Sequence, residues 1–202
     1  MAQILPAAET AERWGARVRA EQHAASTPLI VVGCAVLVEA LFRFRPDWAF
    51  ASAGLYVYTT PGPLSLLLPL VAFLVLWIVM RVRRARSGLG MGRQGYGIVA
   101  LATLALLVVV PIAVWFLGPL LPLGLGLVVL GWRGRERAQW ITGLVLAALS
   151  PFANLYSFEN HAAFLGPAPR SVVLTIAGLG VVGLGLWRLQ AEHRVLAGDL
   201  PR

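Results

Sequence analysis

Arg81–Gly97, RVRRARSGLGMGRQGYG, is the stretch whose reading decides the fold. It places five of the chain's seventeen arginines between two long apolar runs. Clustered arginines at the ends of apolar runs are held on the cytoplasmic face of a membrane, beside anionic head groups. The side on which this stretch lies therefore sets the side of every other segment.

Composition points the same way. The chain is 58% hydrophobic and 13% charged, with a mean hydropathy of +0.76. An average soluble domain is about a quarter charged. A chain this apolar lacks the polar surface to cover a soluble globule, so lipid is its natural solvent. The 202 residues suffice for one membrane domain and leave no room for a second globular one. The net charge of +8 is carried by arginines at the ends of apolar runs, a pattern of membrane orientation with no nucleic acid implied. The single cysteine, Cys34, excludes an internal disulfide, and no Cys/His spacing suggests a metal.

Working outward from Arg81, the preceding apolar run, Leu64–Met80, is the second of six expected spans, with Pro69 as a kink. The first is Pro28–Phe44. Between them, residues 46–63 carry Trp48, Phe50, Tyr56 and Tyr58 and read as an aromatic layer at head-group level. Beyond the arginines, Arg93 and Arg133 flank 39 apolar residues, enough for two crossings and a tight turn. These are about Gly97–Phe116, with Pro111 as a kink, and the short Leu120–Trp132. A re-entrant pair is the alternative. The fifth span is Ala138–Tyr156 and the sixth Ser171–Arg188, joined by the outer loop 157–170.

The expected fold is thus an all-α membrane protein with six transmembrane helices, N-in and C-in, in the cell inner (plasma) membrane. Residues 1–27 form a cytoplasmic segment read as a short N-terminal amphipathic helix, 28–188 the membrane domain, and 189–202 a cytoplasmic tail. With six spans, fourteen of the seventeen arginines lie inside and only Arg43, Arg45 and Arg170 outside; five or seven spans would scramble that asymmetry.

Several residues are candidates for chemistry. Gly90-Met91-Gly92-Arg93-Gln94-Gly95 matches a dinucleotide fingerprint literally, but no βαβ unit can be drawn around it, so it is read as a glycine-rich cytoplasmic loop. Arg81, Arg83, Arg84, Arg86 and Arg93 are candidate contacts for lipid head groups or a partner. Glu39 is the only ionisable residue well inside a span, a placement that costs about 2.5–3.5 kcal/mol on insertion scales. It either pairs with Arg43 one turn on or serves as an intramembrane ion or substrate site. At the outer end of the fifth span lie Asn154, Glu159 and His161; Glu and His together can do acid–base work. If the first and fifth helices pack, Glu39, Arg43, Asn154, Glu159 and His161 form one outward-facing polar cluster. Gly143 with Ala147, and Gly178, Gly180, Gly183 and Gly185, permit close helix approach within the chain or to another subunit.

No catalytic motif, cofactor motif or metal set is recognisable. The leading expectation is a non-catalytic membrane subunit of a transport or envelope complex, with membrane lipids and other membrane subunits or further copies as partners. The alternatives are a secondary transporter or channel using Glu39, and a membrane enzyme with an outer Glu159/His161 site.

Overall fold

The computed structural model describes residues 26–44, 63–87, 95–155, 157–165 and 168–197. All regular structure among them is helical: α1 (Ser26–Phe44), α2 (Pro63–Ser87), α3 (Tyr96–Val109), α4 (Pro111–Leu117), α5 (Leu120–Gly134), α6 (Arg137–Asn154), α7 (Ser157–His161) and α8 (Pro169–Ala197), with a 3-10 turn at Ala163–Leu165. Residues 1–25 of the N-terminal segment 1–27, residues 46–62 of the aromatic layer 46–63 and residues 90–94 of the glycine pattern 90–95 lie outside the described residues, as do Arg45, Arg93 and Tyr156.

Three helices, α1, α2 and α8, are long and apolar enough to cross a membrane. Helices α3 and α5 are apolar but shorter, at 14 and 15 residues. Three boundaries differ from the expectation. First, α2 runs on through Ser87, so Arg81, Arg83, Arg84 and Arg86 lie on a helix and not in a loop. Arginine is a good helix former, and the end of an apolar run marks the edge of the lipid, not the end of the helix. Second, α8 extends to Ala197, past the expected end at Arg188, for the same reason. Third, the run 97–116 is broken rather than kinked. Val110 leaves the helix at φ −130°, ψ 53°, and Pro111 starts the seven-residue α4. Proline lacks the N–H that the ladder needs and crowds the residue before it out of helical geometry. The loop 157–170 also contains structure of its own, α7 and the 3-10 turn.

The helices pack mainly as two intimate pairs, α1 with α8 and α5 with α6, bridged by α2 and α3. Small residues set both pairs. A Cβ on Gly124 would lie 2.5 Å from Gly143 O and from Ala147 N, so the α5 and α6 backbones touch there. In the other pair, Gly33 faces Val182 and Gly178 faces Leu37, while a Cβ on Gly185 would meet Ile30. Gly180 and Gly183 face open space. The core is aliphatic with Phe73 at its centre, beneath Gly126. Much of the outer surface is apolar, including Leu101, Val108, Ile112, Val145 and Leu179.

Neighbouring helices run antiparallel, and their ends meet at two levels. At one, Ser26 of α1 meets Glu192 of α8, Thr27 meets Arg83 of α2, and Gly95 before α3 lies against the Arg133 side chain. At the other, the end of α1 meets the start of α2 and the ends of α4 and α6. That second level holds the polar site.

Candidate functional site

Glu39 lies on the inward stripe of α1, in register with Leu29, Val32, Val36 and Ala40 at helical spacing, and is 1% exposed. A carboxylate in that position needs donors. Its Oε1 accepts from Arg43 Nε at 2.8 Å, one turn on, and its Oε2 accepts from Ser65 Oγ at 2.6 Å. Ser65 is in the first turn of α2, on the same face as Ala72, Phe73 and Leu76, which brings it opposite Glu39. The Arg43 side chain is itself only 9% exposed.

Arg43 carries the network to α6, where its NH2 group donates to Asn154 Oδ1 at 3.1 Å. The Asn154 Nδ2 group donates to Trp115 O at 2.8 Å and Phe116 O at 2.7 Å. The partners fix the amide's orientation: only its oxygen can accept a hydrogen bond from arginine, and only its NH2 can donate to two carbonyls. One turn earlier, Ser150 Oγ donates to Leu117 O, with Gly118 O 3.4 Å away. The break at Val110 makes α4 a short helix with unsatisfied C-terminal carbonyls, and α6 supplies their donors from the side. Gly118 then leaves the helix at φ 81°, ψ 168°, a conformation nearly restricted to glycine, with the Asn154 side chain 3.2 Å from where a Cβ would lie.

The structure therefore brings together Glu39, Arg43 and Asn154, and adds Ser65, Ser150 and the α4 carbonyls. It does not bring His161 to them: the exposed His161 has its Nδ1 3.0 Å from Ser157 O, one turn back on its own short helix, and donates to it. The side chains of Glu159 and Asn160 are outside the described set. Among the described residues no three His, Cys, Asp or Glu side chains come together in a way that would hold a metal. Of the arginines considered as lipid contacts, Arg83 is half-buried and its NH1 donates to Thr27 Oγ1 at 3.3 Å, so it ties α2 to α1. Arg81 is exposed, with its guanidinium 5.4 Å from the Trp77 ring centre.

Ser65 and Ser150 carried no sequence signal. Hydroxyls in helices usually bond the carbonyl four residues back, as Thr103 does to Val99 O and Thr175 to Ser171 O. Nothing in the sequence distinguishes those from the two serines that reach across.

Chemically, this arrangement is a clasp. Each carboxylate oxygen of Glu39 accepts from a side chain of the fold, and its charge is balanced by Arg43. The chain matches no protein-family model, no curated protein and no solved structure.

Proposed function

We propose that the chain is a non-catalytic integral membrane subunit, an accessory component of a transport or envelope complex, whose buried ion pair locks its own helices together. The observation that carries this reading is the engagement of both Glu39 oxygens by Arg43 and Ser65, with Arg43 tied on to Asn154. A buried charge used in this way holds the fold and leaves no open carboxylate for a passing ion.

In this reading six helical segments cross the inner (plasma) membrane, with α3 and α4 making one crossing between them and both termini on the arginine-rich, cytoplasmic side. The antiparallel run of the helices supports that count, as does the meeting of their ends at two levels. Helix α5, at 15 residues and about 22 Å, is shorter than a hydrocarbon core of roughly 30 Å and crosses where its neighbours shield its ends. The partners are membrane lipids and other membrane subunits or further copies of the chain. The extensive exposed apolar surface is compatible with both.

The test is purification from the native membrane in mild detergent, with crosslinking and identification of bound proteins. A stoichiometric membrane partner is expected; a solitary chain sinks the proposal. Cysteine labelling in a Cys34→Ala background checks the orientation: Arg135→Cys reacts only from the cytoplasm and Ser157→Cys only from outside.

One observation favours the transporter reading. The break at Val110–Pro111 leaves a short helix whose last carbonyls bond Asn154, the same side chain that accepts from Arg43 of the buried pair, and folds that bind substrate at interrupted helices are built in a similar way. Glu39→Gln in proteoliposomes separates the two readings, since a transporter loses its flux while a subunit has none to lose. The outer enzyme site has no such support, because His161 turns onto its own helix.

A further inference from the structure

Two arginines lie over tryptophan rings at a distance from the polar clasp. On α2, the Arg81 guanidinium carbon sits 5.4 Å from the Trp77 ring centre; on α8, that of Arg188 sits 5.5 Å from the Trp187 ring centre. Both pairs lie at the end of the bundle where Ser26, Thr27, Arg83 and Glu192 meet. Trp187 is 61% exposed and Trp77 38%. An exposed indole of this kind settles at the boundary between hydrocarbon and head groups. Each guanidinium therefore lies over the face of a partly exposed indole.

Neither cation has an acidic partner among the described residues. The one ion pair there is Glu39–Arg43, at the opposite end. The acid nearest Arg188 in sequence, Glu192 one turn on, accepts instead from Ser26 N at 3.1 Å and Ser26 Oγ at 2.7 Å. Arg188 Nε is buried and meets no acceptor among the described residues. Elsewhere at this end, Arg133, Arg135, Arg137 and Arg194 are exposed, so the field is strongly positive.

We infer that Trp77–Arg81 and Trp187–Arg188 are two binding sites for anionic phospholipid head groups. Each guanidinium takes a lipid phosphate while its indole covers the glycerol region. A planar guanidinium suits this task because it can stack on the ring through its face and donate to phosphate oxygens from its edge. On α8 the acyl chain has a lane to follow: Ile176, Leu179 and Leu186 are exposed there, and a Cβ at Gly180 or Gly183 would meet nothing within 4 Å. The inference rests on the proposed membrane placement, since the arginine end must lie at a leaflet, but it does not depend on a protein partner.

The full chain in nanodiscs of mixed phosphatidylglycerol and phosphatidylcholine tests it, with bound lipids counted by native mass spectrometry. The wild-type chain is expected to retain phosphatidylglycerol in excess of its share of the bilayer. The Arg81→Gln, Arg188→Gln double variant should lower that preference by about fivefold for each arginine. The comparison is Arg135→Gln with Arg194→Gln, which removes the same charge from positions with no indole contact among the described residues and should change the preference much less. Equal losses in the two double variants mean a diffuse charge effect and overturn the inference, as does no loss in the first. A measurement on the unaltered chain stands beside the variants: phosphatidylglycerol brominated on its acyl chains should quench tryptophan fluorescence more than brominated phosphatidylcholine at equal mole fraction, and equal quenching also overturns it. A chain that does not enter the nanodisc overturns the membrane placement as well; one that enters without lipid preference overturns this inference alone.

Discussion

The two ends of the helical bundle treat the same side chain in opposite ways. At the end where α1 finishes and α8 begins, the described arginines are withdrawn from the surface: the Arg43 side chain is 9% exposed and Arg170 is 4% exposed. At the other end, Arg81, Arg133, Arg135, Arg137 and Arg194 are exposed, and Arg188 lies against a tryptophan. A charge withdrawn from water must find its compensation inside the protein, and Arg43 does so through Glu39 and Asn154. A charge left at the surface needs none, and its pairings there contribute little. The count of arginines on each side, which orients membrane chains, therefore understates the asymmetry here: one end displays cations and the other consumes them.

The largest expected effect comes from breaking the buried end. Arg43→Ala leaves Glu39 with Ser65 alone and should cost about 3–5 kcal/mol, the usual penalty for removing one partner of a buried pair. The Glu39→Gln, Arg43→Gln double variant should recover much of that loss. Equilibrium unfolding in mixed micelles measures both, and an Arg43→Ala variant as stable as Arg135→Ala would erase the contrast between the ends. Between the ends, where no charge lies, shape alone is at stake. Gly124→Leu pushes α5 off the α6 backbone and should cost about 3 kcal/mol, at the upper end for overpacking, whereas Gly183→Leu, facing open space, should be nearly neutral.

Asn154→Ala removes the acceptor for Arg43 and the donors for Trp115 O and Phe116 O, with an expected loss of about 2 kcal/mol. Hydrogen exchange should rise locally in α4, and unchanged exchange there would show that α6 does not cap it. At the arginine end, Ser26→Ala removes one of two bonds to Glu192 and should cost about 1 kcal/mol, in the range of a lost helix cap. The smallest effect is Arg135→Gln, within about 0.5 kcal/mol, as for ordinary surface changes. Salt sharpens the comparison further. Raising ionic strength should alter lipid or partner binding at the exposed end and leave the Arg43 penalty almost unchanged, because a buried pair is poorly screened.

The helical character of the chain and its apolar helices were legible because they depend on local quantities, the length of an apolar run and the charges that bound it. The ends of α2 and α8 were misjudged because hydropathy registers the lipid boundary, while arginine carries a helix past it. Pro111 was visible, but a kink and a break have the same sequence; Val110 leaves the helix where the neighbouring α6 offers Asn154 and Ser150 to the carbonyls that follow. The Glu39–Arg43 spacing was readable along one helix. The reach from Arg43 to Asn154, 111 positions on, depends on how α1 and α6 are brought together.

By itself the sequence determined that this chain is helical and lipid-like in composition, that its cations lie at the ends of apolar runs, and that Glu39 and Arg43 are one turn apart. Those are properties of neighbours along the chain. Only the tertiary structure decided which helices pair, which glycines lie in contacts and which face open space, and that a serine from α2 and an asparagine from α6 complete the environment of a charge on α1. Side-chain hydrogen bonds reach only about 3 Å, so a polar residue's role is settled by what the fold places within that distance, and no spacing along the chain encodes it.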